Sequence, residues 1–479
     1  MLPDEILLKI FDLYGGECRF VQPWWWKGLA DVCRRWRHIV FESPQGLDLQ
    51  LACDGKTPMR TLLDIWPPFP ITITCLEDVW DSAGQDNIIA GLKHHHDRVA
   101  KIDFQRQTGS VLEKLVAVMQ EPFPALTYLY LSSHGSTSSI LPEAFLGGSA
   151  PCLRSFILDG IAFSGLPNLV LFASHVVDLR LTNIPIIGYI SPEAMATCLV
   201  ALPNLDDLDI GFQSPRSRPD RMSPPPRTRV VLPALTSFRF SGVCEYLEDL
   251  VARIDTPQLN RLEIKFFFDL FFRIPRLQNF IRHAQGLKPL NQAEVEFYAW
   301  AVRIVLGSGL PSRRRLELEI RCKEPDWQAS SMAQVCSQLL PFLSCAEQLH
   351  LHEYTSGQVR SGNGMDLSQW LELFHPFPGV QSLYVFNELR PLVAQALQDL
   401  TEERAAQVLP ALCSLFFEGP SPSRSIMEDM KAFVAARRHS NYPVDVHWTP
   451  QMRGRESSSV QRNGSRLIAP GYPIIREFR

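Results

Sequence analysis

Apolar positions in the first forty residues recur at helical spacing. Leu2, Ile6, Leu7, Ile10, Phe11 and Tyr14 stand three or four apart, which predicts a helix with one broad apolar stripe at the very start of the chain. Pro3 suits the first helical position, and Asp4 and Glu5 place negative charge at the positive end of the helix dipole. A second run repeats the device, with Leu29, Val32, Cys33, Trp36, Ile39 and Val40 on one face and Asp31, Arg34, Arg35 and Arg37 on the other. Two short helices of this kind cannot bury both stripes by themselves. From residue 47 the period drops to two: Leu47-Asp48-Leu49-Gln50-Leu51 alternates as a strand does, and Trp66-Pro67-Pro68-Phe69-Pro70 leads into the β-branched run Ile71-Thr72-Ile73-Thr74. This predicts a collar that joins the helices to a layered structure.

Beyond the collar one phrase returns, Pro-x-Leu-x-x-Leu-x-Leu in loosened form. It stands at Pro124–Leu131, Pro151–Leu158, Pro203–Ile210, Pro233–Phe240, Pro257–Ile264 and Pro410–Phe417, with shorter copies at Val176–Leu181, Leu316–Ile320, Gln348–Leu351 and Gly379–Val385. Pro124 to Pro151 is 27 residues, and Leu383 to Leu415 is 32. Between copies lie amphipathic runs such as Val111–Met119 and Met332–Leu340. A strand and a helix at this period predict an α/β solenoid, its parallel strands lining a concave face and its helices the convex one. In each Leu-x-Leu the middle residue then points away from the core. These residues are Tyr130, Ile157, Arg180, Asp209, Arg239, Glu263, Glu319, His350, Tyr384 and Phe416, the candidate target-binding row, charged in the middle and aromatic at the ends.

Ser214 to Arg229 breaks the pattern, holding five prolines and five arginines against Asp220 alone, and reads as an excursion between repeats. Gln451 to Arg466 is a similarly polar, basic tail, so Trp448 is expected to be the last strong structural residue. The expected organisation is a helical module over 1–46, a collar with the first repeat elements over 47–105, the solenoid over 106–450 with its insertion at 214–229, and a tail over 451–479.

Composition narrows the function. A hydrophobic fraction of 46% excludes global disorder. The 47 basic and 51 acidic residues nearly balance, giving no reason to expect a nucleic-acid or membrane partner. No run approaches 18 apolar residues, and the chain opens on carboxylates where a secretory signal would carry Lys or Arg, so a soluble cytosolic or nuclear protein is expected. Eleven cysteines without a Cys-x-x-Cys pair fit reduced core residues. No nucleophile elbow, phosphate loop or zinc spacing is present, so no catalytic residue, cofactor or metal is expected. His94-His95-His96-Asp97 reads as a solvated turn, since adjacent side chains on a helix diverge by about 100°. His350 and His352 would share a strand face, a pair without a third ligand. The Phe266–Phe272 run is expected to fill a core. Of Trp24, Trp25 and Trp26 at least one should meet the collar or a partner.

The pieces Leu2-Pro3-Asp4-Glu5-Ile6-Leu7 and Val32-Cys33-Arg34-Arg35-Trp36 resemble the F-box, the helical module by which substrate receptors of SCF-type ubiquitin ligases attach to their adaptor. Gly15 to Trp26 makes a longer connection than that family has, and Ser43–Leu47 replaces its Leu-Trp. The repeat resembles the leucine-rich repeat, although His134, Ile161 and Phe267 stand where that unit places Asn or Cys. The order F-box then repeats resembles F-box proteins with leucine-rich-repeat domains. Within these it is similar to the large group of mushroom-forming fungi, through Cys322–Trp327 and Trp370–Phe374. The resemblance implies adaptor binding by Leu2, Pro3, Ile6, Leu7, Ile10, Val32, Cys33, Trp36 and Ile39, with a cullin scaffold and a protein substrate as further partners. A repeat scaffold that works without the ligase, or an enzyme site hidden in the concavity, are the alternatives.

Overall fold

The computed structural model describes residues 2–449 apart from 19–24, 44–46, 48, 54–58, 76–81, 135–138, 216–227, 268–271, 289, 309–313, 323–326, 355–366, 387–388, 399–407 and 420–422. Most of the Ser214–Arg229 excursion and the whole 451–479 tail therefore lie outside the described residues.

Three helices open the chain: α1 (Asp4–Cys18), α2 (Trp25–Val32) and α3 (Arg34–Glu42). The expected second helix is thus two, broken at Cys33. Its backbone is extended (φ −160°, ψ 169°) and its Sγ accepts from the Trp36 N–H at 3.4 Å, so the cysteine caps α3 rather than continuing α2. Pro3 sits one place before the position expected of it, its carbonyl accepting from the Leu7 N–H at 3.1 Å.

Sixteen strands make one sheet, in the order β1 (Leu51–Cys53), β2 (Ile71–Cys75), β3 (Val99–Thr108), β4 (Tyr128–His134), β6 (Ser155–Asp159), β8 (Asp178–Ile184), β9 (Asp207–Phe212), β11 (Ser237–Gly242), β13 (Arg261–Phe266), β16 (Arg315–Arg321), β15 (Ala301–Gly307), β14 (Gln292–Tyr298), β17 (Gln348–Tyr354), β18 (Ser382–Phe386), β19 (Ser414–Glu418) and β20 (Asp445–Thr449). Two small parallel pairs lie outside it, β5 (Ser139–Ile140) with β7 (Ile161–Ala162) and β10 (Val230–Val231) with β12 (Ile254–Asp255). Every copy of the phrase is a strand of the large sheet. The leading strand was expected at Leu47–Leu51 and begins only at Leu51, because Leu47 and Leu49 go straight into the core while Ala52 and Cys53 continue the pairing with β2.

The array is parallel except at β15, which runs antiparallel to both β14 and β16. The phrase is absent between Ile264 and Leu316. There the chain passes over two strand positions and returns through a three-stranded meander, so β16 lies beside β13 and β14 beside β17. Short antiparallel links suit this segment, since parallel neighbours need a crossover between them.

The leucines explain the layers. Leu126, Leu153, Leu205, Leu235 and Leu259 of the phrase are buried, as are the flanking residues of each Leu-x-Leu, while the residues between stay partly exposed except Glu317, which is buried. One face of the sheet is thus covered and the other open. Successive turns join through the backbone: Arg154 N–H donates to Thr127 O at 2.8 Å, Val177 to Arg154 O at 2.8 Å, Asp206 to Val177 O at 2.9 Å and Thr236 to Asp206 O at 2.9 Å. The same link recurs from Gln381 to Glu347 O and from Cys413 to Gln381 O. Main-chain bonds thereby satisfy the turns that enter the strands.

The helical module shares this core. Trp26, fully buried, packs edge-on against Trp66 (5.0 Å between ring centres) and Phe69 (5.6 Å), and its indole N–H donates to Gln50 O at 3.1 Å. Trp25 is buried beside Tyr14, and Trp24 lies outside the described residues. The collar thus takes up Trp26, while Trp25 packs on α1. Phe266, Phe267 and Phe272 are core, the rest of that run lying outside the described residues. Cys53, Cys75, Cys198, Cys244, Cys322 and Cys336 are buried thiols, while Cys33, Cys152, Cys345 and Cys413 are exposed. No described helix is long and apolar enough to cross a membrane.

Candidate functional site

Two surfaces carry the residues singled out by the sequence. The first is α1. Its broad stripe splits into two rows about 100° apart. Leu7 and Phe11 are buried, Phe11 against Trp36 at 4.8 Å between ring centres. Leu2, Ile6, Ile10 and Leu13 face solvent, 53%, 41%, 44% and 74% exposed. Val32 at the end of α2 is also exposed, as are Pro3 and Cys33, while Trp36 is half-buried. Two residues expected on this docking face are therefore elsewhere: Leu7 and Ile39 belong to the chain's own core, since the three helices need them to close on one another. Arg35 fastens α3 to the start of α1, its Nε 3.0 Å from Asp4 Oδ1. Leu13 was missed. It continues the series Leu2, Ile6, Ile10 by a three-residue step, the signal that would have found it.

The second surface is the open face of the sheet. Strand register sets Asp103, Tyr130, Ile157, Arg180, Asp209, Arg239 and Glu263 side by side, and carries the row on through Glu317, Val305 and Glu294 to His350, Tyr384, Phe416 and His447. Nine of the ten candidate residues lie in this one row. Glu319 does not: it pairs with Lys265 one step along the strand, and Glu317 takes its place beside Glu263.

The charged middle of the row is paired with itself. Arg239 Nε lies 2.8 Å from Asp209 Oδ2, and its terminal nitrogen 2.9 Å from Asp207 Oδ1. Arg180 bonds Asp178 at 2.8 Å, Arg261 bonds Glu263 at 2.5 Å, and Arg303 reaches Glu317 at 3.1 Å and Glu296 more closely still. Burial lifts Asp207, Asp209 and Glu294 above the usual carboxylate range, with Arg239 opposing it at both aspartates. Little charge is left over here for a ligand.

The C-terminal end is built of rings. His350 stacks on Tyr384 (4.3 Å, 5° between planes), Tyr384 on Phe416 (4.6 Å, 8°) and Phe416 on His447 (4.7 Å, 17°). One step along, His352 stacks on Phe386 at 4.0 Å, and its Nε2 lies 3.2 Å from Glu294. Burial pushes His352 down to about 4. The two histidines therefore serve in ring stacks, and no group of three His, Cys, Asp or Glu that could hold a metal occurs among the described residues. His94 ends a helix and His95–Asp97 form the following turn, with the His96 ring against Phe123.

These features define the class of protein: a small helical module fused to an open, mostly parallel sheet of strand–helix repeats. Residues 1–44 match the family model described as F-box-like, so the helical module is an F-box-like domain. No curated protein matches the chain in sequence. Among solved structures, the leucine-rich repeat-containing protein LegL7 from Legionella pneumophila is similar at 10% identity, over 80% of this chain and 96% of that one, with a TM-score of 0.27.

Proposed function

We propose that this chain, akin to the large F-box group of mushroom-forming fungi, is the substrate receptor of a cullin-based SCF ubiquitin ligase in the cytosol or nucleus. In this reading it performs no chemistry itself. The outward row of α1 docks on the adaptor, and the open face of the sheet holds a protein target, so that the ligase acts at raised local concentration of its substrate. The observation that carries the reading is the exposed apolar row Leu2, Ile6, Ile10 and Leu13 on a helix that already buries a second row, in a module that matches the F-box. Apolar side chains in such a cluster are the usual anchors of helix-in-groove binding.

The test is binding of the full chain to purified adaptor, beside an Ile6→Asp, Leu13→Asp variant. Both positions are exposed, so the variant keeps the melting curve of the parent, and it should lose affinity at least 100-fold. Leu7→Asp is unsuitable because it would unfold the module. If the adaptor binds both proteins alike, or binds neither, the receptor reading fails and a repeat scaffold that works without the ligase replaces it.

A further inference from the structure

The proposed receptor role leaves open which chemistry the sheet recognises. Two regions of the open face differ in what they can offer a ligand. In the middle, arginines and carboxylates satisfy one another. Across β17 to β20 the open face carries no Lys or Arg among the described side chains: the residues there are Gln348, His350, His352 and Tyr354, then Ser382, Tyr384 and Phe386, then Ser414, Phe416 and Glu418, then Asp445 and His447. Neither Glu418 nor Asp445 has an ion-pair or hydrogen-bond partner for its carboxylate among the described residues. This end of the face is therefore acidic and aromatic.

Among the described residues the ring stack is also open at one end. The faces of Tyr384 and Phe416 are spent on their neighbours, but β20 is the last strand of the sheet, and His447 is exposed. The next rung would be a planar group lying parallel to the imidazole. Asp445 is exposed two residues earlier on the same strand and the same face, within the reach of a group stacked there. A planar cation that stacks and also pairs with a carboxylate is a guanidinium. The outer edge of β20 has no strand partner among the described residues, and an extended segment laid along that edge would bring its side chains into the same row.

We propose that the β20 end of the open face recognises an arginine-bearing extended segment of the target protein, its guanidinium stacked on His447 and paired with Asp445. This rests on the receptor reading but is tested without the ligase. A nucleic acid could also stack on rings, but the carboxylates disfavour its phosphates.

The experiment uses the full chain and peptide libraries with one fixed central residue, in turn Arg, citrulline, Lys, Glu or Phe, flanked by random positions. The library fixed at Arg should be retained above the others. The best single peptide, followed by fluorescence anisotropy, should bind at least tenfold more weakly with citrulline in place of Arg, which keeps the plane and removes the charge. Asp445→Asn and His447→Ala should each weaken it at least fivefold, and His447→Trp should preserve it. Both positions are exposed, so folding is not at stake. Equal binding of the citrulline peptide, retention of Glu or Phe above Arg, no selection at all, or tighter binding of a single-stranded oligonucleotide would overturn the proposal. The basic residues 451–479 are a competing occupant. If replacing their six arginines with glutamine is required before the arginine library binds, the site belongs to the tail and not to a partner. Adaptor binding is read separately on the same protein, so loss of one result leaves the other standing.

Discussion

Arg239→Met tests the self-pairing of the open face most directly. The guanidinium serves Asp209 at 2.8 Å and Asp207 at 2.9 Å, and the three side chains are 21%, 19% and 24% exposed. Methionine keeps the apolar stem and removes both charged hydrogen bonds. Asp207 retains Arg180 at 3.7 Å, so most of the penalty falls on Asp209. Removing one partner of a buried pair costs about 3–5 kcal/mol. Since each carboxylate keeps roughly a fifth of its surface in water, about 3 kcal/mol is expected here. Burial already raises the Asp209 pKa against the pull of Arg239, and without Arg239 it rises further. A folded-state pKa above the unfolded one destabilises at high pH, and protonation relieves it. The deficit should therefore be full at pH 7 and shrink as pH falls through the raised value. Urea unfolding at pH 7 and pH 5, with the Arg239→Met, Asp209→Asn double variant recovering at least half of the loss, is the measurement. A deficit below about 1 kcal/mol at pH 7, or one independent of pH, would show that these charges are solvated and free for a ligand.

Three further outcomes follow from single contacts. The Glu248 carboxylate, 1% exposed, accepts from the N–H groups of Arg276 at 2.9 Å and Leu277 at 2.7 Å, capping the helix Pro275–His283. Glu248→Ala should lose about 2–4 kcal/mol and speed hydrogen exchange at those two amides, with Glu248→Gln recovering part. At Gly379 an added Cβ would meet the Ser344 carbonyl at 2.3 Å, so Gly379→Ala should lower stability by about 1–3 kcal/mol, whereas Gly28→Ala in α2 meets nothing within 4 Å and should be neutral or stabilising. His352, held down to about 4 by burial, contributes stability that is full above its unfolded pKa of 6.5 and is lost as pH falls from there towards 4, by up to about 3 kcal/mol. Glu294, lifted by burial, acts in the opposite sense, so the sign is read against His352→Gln, whose stability should fall less steeply between pH 6.5 and 5.

Much of this protein is written locally. A Leu-x-Leu strand, its leading leucine and the turn before it are each a few residues long, and burial on one face follows from alternation alone. That is why every copy of the phrase is a strand and why nine of ten middle residues share a row. The two helical runs of the F-box-like domain were likewise legible, but not the break at Cys33, where the thiol caps α3 and divides the second run into two helices.

Tertiary structure decided the rest, because it depends on which residues meet. Periodicity could not divide the stripe of α1 into an inward row with Leu7 and Phe11 and an outward row with Ile6, Ile10 and Leu13, since that depends on where α2 and α3 pack. No phrase announces the meander of β14, β15 and β16, and it is the meander that sets Glu317 rather than Glu319 in the row. The open face shows the same division. The sequence by itself placed Arg180, Asp209, Arg239 and Glu263 on one surface, and only the structure showed their partners: Arg239 reaches across to Asp209 and Asp207 on the adjacent strand, while Arg180 turns to Asp178 and Glu263 to Arg261 on their own strands. Coulomb interactions fall off with distance in space, not along the chain, so a one-dimensional pattern can name the charged residues but cannot say which of them are already paired.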